Sequence, residues 1–231
     1  MKIHREDTAR TRGKLLAAAS EIFAEKSFRD ATIAEICLRA GTNVAAVNYH
    51  FGSKEALYSE AWRHVFAQSV QAHPPDGGVA ADAPPEERLR GQVTALLHRF
   101  ADENNREFWF MQRELASPTG LLEEVMQEEI RPLQQRTERM VRELLGPQVA
   151  EREVRFCEVG IISQCINPMV VRNRQKESGE NQDGPQRIDD IEAYARHVVI
   201  FSLAGITAIR AAAEARQDRY KAKSPKEVSQ P

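Results

Sequence analysis

TIAEICLRAGTNVAAVNYHFGSK, residues 32–54, reads as two short helices joined by a glycine turn, with a capped third helix starting at its end. Thr32 and Glu35 have the T-x-x-E spacing of a capping box, in which hydroxyl and carboxylate each satisfy an orphan amide at a helix start. The helix they open sets Ile33, Ile36, Cys37 and Ala40 at the i, i+3, i+4, i+7 positions of a buried stripe, and Gly41 stands where a glycine C-terminal cap belongs. In the second helix Val44, Val47 and Phe51 are expected to point to the core. That leaves Ala45, Ala46 and Tyr49 outward, with Asn43 and His50 on the adjoining flank. The order is helix-turn-helix, and the outward chemistry suits a major groove. Two alanines permit close approach and thymine-methyl contact, Asn43 or Asn48 can donate and accept at base edges, and Tyr49 and His50 can donate to phosphate oxygens. Ser53 caps the next helix and Lys54 begins it, so free amides and a cation coincide where a phosphate could dock. The expected DNA-contact set is Thr32, Asn43, Ala45, Ala46, Asn48, Tyr49, His50 and Lys54.

Upstream, residues 1–14 hold Lys2, Arg5, Arg10, Arg12 and Lys14 against Glu6 and Asp7, a locally basic entry in a chain of net charge −2. Arg10, Arg12 and Lys14 are the better candidates for phosphate, because chain ends fray unless tied down. Downstream, HPPDGGVAADAPP (73–85) cannot continue a helix and marks a boundary. The expected organisation is a helix-turn-helix domain at 1–54 with a connecting helix to 73, a flexible connector at 74–85, a helical domain at 86–220 and a disordered tail at 221–231. Within the second domain Leu89, Val93, Leu96, Leu97 and Phe100 form a core-facing stripe. A helix over 119–145 is expected to kink at Pro132, where a backbone donor is missing. Residues 154–171 and 188–213 are apolar on more than one face and rich in small residues, so each helix needs two partners. The polar loop 175–187 between them reads as surface. No stretch alternates with a period of two, so the expected class is all-α.

Residues 8 to about 70 resemble the DNA-binding domain of TetR/AcrR-type transcriptional regulators, through TRGKLLAAASEIFAEKSF, the T-I-x-E-I segment and VNYHFGSKEALY. NVAAVNYHFGSKEALY with the later REL and IRP segments resembles the CecR-like branch. Ala46 departs from the small polar or glycine residue usual at mid-recognition helix, which removes direct hydrogen bonding from that position. The resemblance implies an N-terminal three-helix helix-turn-helix head and a helical C-terminal ligand-binding and dimerisation domain, with a four-helix dimer interface built from the last two helices of each subunit. It implies a homodimer on double-stranded palindromic operator DNA, a repressor in preference to an activator, and a small-molecule effector that changes the spacing of the heads. Phe108, Trp109, Met111, Gln112, Arg113, Gln164, Cys165, Asn167 and Met169, polar or aromatic groups on otherwise apolar helices, are the candidate ligand-lining residues. Their mixture fits a largely apolar molecule with a few polar groups.

Other classes find little support. Cys37, Cys157 and Cys165 make an odd count without paired spacing, against a disulfide framework or a zinc site. No glycine-rich phosphate loop, nucleophile elbow or H-E-x-x-H helix occurs, and six histidines never cluster with acids or cysteines, so neither an enzyme nor a bound cofactor is expected. The longest apolar run, 198–209, falls short of the roughly 20 residues of a membrane span, and no apolar leader follows Met1, so a cytoplasmic location without membrane attachment is expected. The alternative is a helical interaction scaffold, or an activator whose second domain binds no small molecule.

Overall fold

The structure, a computed structural model, describes residues 2–102, 104–178, 188 and 190–223, with side chains described for 6–171 apart from 103, and for 188 and 190–219. Lys2 and Arg5, most of the 175–187 loop and the tail beyond residue 223 therefore lie outside the described side chains or residues. Among the described residues every regular element is helical: α1 (Lys2–Glu25), α2 (Ile33–Ala40), α3 (Val44–Phe51), α4 (Lys54–Ala72), α5 (Pro85–Ala101), α6 (Arg106–Ala116), α7 (Glu123–Val125), a π-helical turn (Met126–Ile130), α8 (Arg131–Leu145), α9 (Glu151–Ser178) and α10 (Ile191–Lys223).

The chain divides into two compact units that do not follow the expected head-and-body order. The first gathers residues 1–74 and 99–132, the second residues 75–98 and the chain from Leu133 onward. In the first, α1 packs on α2, α3, α4 and α6, and α4 on α3 and α6. Leu15, Ala19, Ile22, Phe23, Ile36, Val47, Leu57, Tyr58, Ala61, Trp62 and Phe110 fill its centre. Phe23, Tyr58 and Phe110 meet with ring centroids 4.8–5.8 Å apart, so α6 is wedged onto the head by aromatic contacts. Beneath them lies an ion pair that periodicity did not signal. Arg99 and Glu107, both nearly fully buried, bond at 2.6 and 2.8 Å, while the Arg99 Nε also donates to Ser69 Oγ at 2.9 Å and its guanidinium lies over Phe66.

In the second unit Leu89, Val93 and Leu97 are buried as the stripe on α5 predicts, whereas Leu96 is half-buried. The segment expected as a connector turns tightly against α5. Gly77 adopts φ +61°, and a Cβ on Gly91 would lie 2.6 Å from Val79 Cγ2 and overlap the Asp76 carbonyl, so backbone meets backbone there. The expected kink at Pro132 takes the form of the π turn just before it. Arg131 N–H bonds to the carbonyl five residues back at Met126, widening the turn where the proline ring would collide with the Glu128 carbonyl.

Both final helices run further than expected. α9 passes through Pro168 without stopping, and the Gln164 carbonyl, which loses its helical donor to that proline, accepts from Tyr194 Oη of α10 at 2.9 Å. The expectation that no segment is long enough to cross a bilayer is corrected: Glu151–Val171 and Ile191–Arg219 are each long and apolar enough by length and composition. Scattered small and polar residues interrupt the apolar runs in the sequence without making either helix polar.

Candidate nucleic-acid interface

The helix-turn-helix forms by the local chemistry that its sequence carries. Thr32 Oγ1 accepts from Glu35 N at 3.2 Å while Glu35 Oε2 accepts from Thr32 N at 3.0 Å, a complete capping box. Gly41 closes α2 at φ 64°, a left-handed conformation in which its N–H and that of Thr42 reach the last carbonyls. Asn43 then caps α3, its Oδ1 accepting from Ala46 N at 3.1 Å. Ser53 caps α4 through Ala56 N at 3.1 Å. Glu35 also takes Lys26 Nζ at 2.5 Å; that bond, with those from Thr32, draws its carboxyl down to about 2 from an ordinary 4.5.

On α3 the buried side is narrower than expected. Val47 is buried and Phe51 half-buried, but Val44 is 49% exposed and Ala46 is half-buried rather than outward. Three residues before Val47, Val44 sits at the edge of the core stripe, and an eight-residue helix has no further turn to bring it in. The exposed stripe is Val44, Ala45, Asn48 and Tyr49, the i, i+1, i+4, i+5 positions of one face. Tyr49, 76% exposed, leans edge-on against half-buried His50 at 5.0 Å.

Several residues expected at DNA are committed elsewhere. Lys54 donates from Nζ to the Phe28 carbonyl at 2.6 Å and lies over the Phe28 ring, tying α4 to the α1–α2 loop. Arg12 pairs with Glu60 at 2.7 Å and covers Phe51, and Arg10 pairs with Asp7. The Thr32 hydroxyl and the Asn43 carbonyl oxygen are turned to their helix caps. Asn48, Tyr49 and the Asn43 amide nitrogen keep free hydrogen-bonding capacity among the described residues, and Lys14 is exposed. Long-range pairing of Lys54 and Arg12 carries no local sequence signal.

The match to known proteins follows this geometry. The model for bacterial regulatory proteins of the tetR family fits residues 15–61, and that for the C-terminal domain of the HTH-type transcriptional dual regulator CecR fits residues 85–206. The chain belongs to the TetR family, with a CecR-type C-terminal domain. The HTH-type transcriptional repressor NicS of Pseudomonas putida is 33% identical over 95 residues, 41% of this chain and 43% of that protein. The dual regulator CecR of Shigella flexneri is 29% identical over 138 residues, 55% of this chain and 61% of that protein. The chain thus spans less than two thirds of either relative. FadR of Bacillus halodurans, a fatty acid degradation regulator, shares the fold with a TM-score of 0.62 at 16% identity, over 84% of this chain and 95% of that one.

The candidate ligand residues of this TetR-family chain are divided between the units. Phe108, Trp109, Met111, Gln112 and Arg113 lie on α6, and Gln164, Cys165, Asn167 and Met169 on α9. Phe108, Cys165 and Met169 are core side chains, and burial pushes the Cys165 thiol up to about 12. Gln164 Nε2 donates back to the Gly160 carbonyl at 3.1 Å, and Arg113 Nε to the Ala24 carbonyl at 3.4 Å. Trp109, Met111 and Gln112 are half-buried. None of the nine lines either of two cavities in the first unit. A cavity of about 160 Å³ lies at the end of α4 among Ser69, His73, Asp102, Asn105 and Arg106, and one of about 250 Å³ lies among Ile22, Lys26, Glu35, Leu38 and Arg39. In the first, His73 meets Asp102 at 3.1 Å, Arg106 meets Glu21 at 2.9 Å, and Asn105 donates to Ser69 and the Arg99 carbonyl, so its polar walls are satisfied internally.

Proposed function

We propose that this chain is a DNA-binding transcriptional repressor that occupies a palindromic operator as a homodimer and is released by a small, largely apolar effector. The observation that carries the DNA reading is the exposed Val44, Ala45, Asn48, Tyr49 stripe on a helix capped at both ends, in a chain of the TetR family. Asn48 carries a donor and an acceptor for base edges, and Tyr49 reaches phosphate.

The homodimer rests on α9 and α10. Val154, Ile161, Cys165 and Met169 on one, and Ala195, Val198, Val199 and Ile206 on the other, are buried within their own unit. The opposite faces leave Phe156, Val159, Ile200 and Phe201 each more than 60% exposed. Uncovered large apolar groups on two adjacent helices are the surface that a second copy covers, and a two-fold axis supplies two recognition helices to two half-sites. The apolar surplus that would let these helices cross a bilayer is thereby used between subunits, in keeping with a soluble cytoplasmic protein.

Effector release is proposed to act through α6, whose Trp109 is half-buried and whose Phe110 packs on Phe23 of α1 and Tyr58 of α4. Glu114 of α6 accepts from Tyr58 Oη at 2.8 Å, and Arg106 reaches Glu21 at 2.9 Å, so a shift of α6 pulls on both helices that flank the recognition helix. NicS and CecR carry regulator names, and none of the catalytic motifs sought in the sequence occurs, so no enzyme activity is proposed. Mobility shifts with DNA flanking the chain's own gene, at two salt concentrations, test the core reading: a sequence-specific complex that weakens steeply with salt is expected. Sedimentation of a monomer with unaltered operator affinity would overturn the dimer. Trp109 fluorescence during titration with hydrophobic metabolites tests the effector; if every binder leaves the operator complex intact, the scaffold or ligand-independent activator takes its place.

A further inference from the structure

We infer that Val44 is a base-reading residue, and that with Ala45 it selects half-sites by the 5-methyl group of thymine. This rests on the proposal that α3 enters the major groove. A valine at the first position of an exposed helix contributes little to helix stability, since its branched carbon restricts the side chain. At 49% exposure it is not a core residue either. Its neighbours on the same face are Ala45, Asn48 one turn on, and Tyr49. Of these four, only Asn48 offers an amide to a base edge. Asn43, the flanking amide, turns its oxygen to the Ala46 N–H as the cap of α3, so presenting oxygen and nitrogen side by side to adenine would mean giving up that cap. The Val44 methyls and the Ala45 methyl therefore present an apolar front with one bidentate amide beside it.

The major groove displays a single apolar group, the thymine C5 methyl, and a bidentate asparagine selects adenine. The half-site that this face fits is accordingly an A·T-rich core, in which one thymine methyl packs against Val44. Arg12, Lys26, Arg39 and Lys54 are held by Glu60, Glu35, Glu25 and the Phe28 carbonyl respectively, so none of these cations offsets the apolar selection with a guanine contact.

Full-length protein is first used to recover its preferred duplex from a random-sequence pool. Each thymine of one half-site is then replaced singly by deoxyuridine, which deletes only the methyl. Affinity is expected to fall about fourfold at one position, the size of one buried methyl. In Val44→Ala that position loses its sensitivity while the others keep theirs, and Val44→Thr, of equal shape, restores part of it. The variants should keep their thermal midpoint, because alanine favours the helix and the Asn43 cap remains. Operator binding that is indifferent to every deoxyuridine, or methyl sensitivity unchanged in Val44→Ala, overturns the inference alone. A wild-type protein that prefers no sequence over random duplex removes the DNA reading and the inference together.

Discussion

Lys54 shows how one residue's task changes between sequence and fold. Beside the Ser53 cap it reads as a phosphate ligand, yet its ammonium holds the Phe28 carbonyl and ring. A charged hydrogen bond and a cation–π contact of this kind are together worth on the order of 2 kcal/mol when partly buried. Lys54→Ala is therefore expected to lower the thermal midpoint in the absence of DNA, whereas Tyr49→Ala leaves the midpoint in place and weakens DNA binding; calorimetry on the free proteins separates the two. Glu35 carries the clearest pH signature. Its carboxyl lies at about 2 against an ordinary 4.5, a depressed value, so the stabilisation is complete above about pH 4.5 and is lost as pH falls toward 2. Urea midpoints are expected to decline across that window more steeply in the wild type than in Glu35→Gln. Unchanged slopes would mean that the capping box and Lys26 do not couple to folding.

At the scale of elements, two prolines inside helical segments are accommodated differently. Before Pro132 the helix widens into a π turn, while at Pro168 it continues and α10 supplies the missing donor through Tyr194. Tyr194→Phe removes the side-chain partner of the part-buried Gln164 carbonyl, which costs about 0.5–1.5 kcal/mol. Chemical denaturation should register that loss in the wild-type background. In Pro168→Ala, where the helix regains its own N–H, the same substitution should cost much less, and equal losses in both backgrounds would sink the account. The recognition helix obeys the same local accounting: eight residues, an Asn cap and one fully buried side chain, Val47, leave its placement to the α1, α2 and α4 contacts around it.

Over the whole molecule, the exposed Phe156, Val159, Ile200 and Phe201 are the surface on which the proposed homodimer rests. Phe201→Glu places a charge where the second copy is proposed to sit, and a buried unpaired carboxylate is costly enough to dissociate such an interface. Sedimentation is expected to return half the wild-type mass. Operator affinity should fall at least tenfold, because each monomer then holds a single half-site. A dimer that persists with full affinity would show that the subunits meet through another surface. The substitution lies on α10 and is expected to leave helix content intact, since the side chain is 61% exposed in the subunit.

The helix-turn-helix was legible because its signals are local. A capping box spans four residues, a glycine cap needs one, and the stripe on α5 repeats within a helix turn, so Thr32, Glu35, Gly41, Ser53, Leu89, Val93 and Leu97 behave as their spacing says, whereas Asn43, read as a base contact, caps α3. The family motifs follow from the same short stretches. What periodicity could not assign were groups whose partners lie far along the chain. Lys54 finds Phe28, Arg12 finds Glu60, Arg99 is buried against Ser69 and Glu107, and Tyr58 reaches Glu114. Val44 belongs with them, because the edge of a core stripe is drawn by the helices that pack against it and not by the helix that carries it. Local hydrogen bonds and periodicity decide which segments become helices and where they stop. The surfaces left for DNA and for the proposed second subunit are decided by which side chains the packed helices have already used.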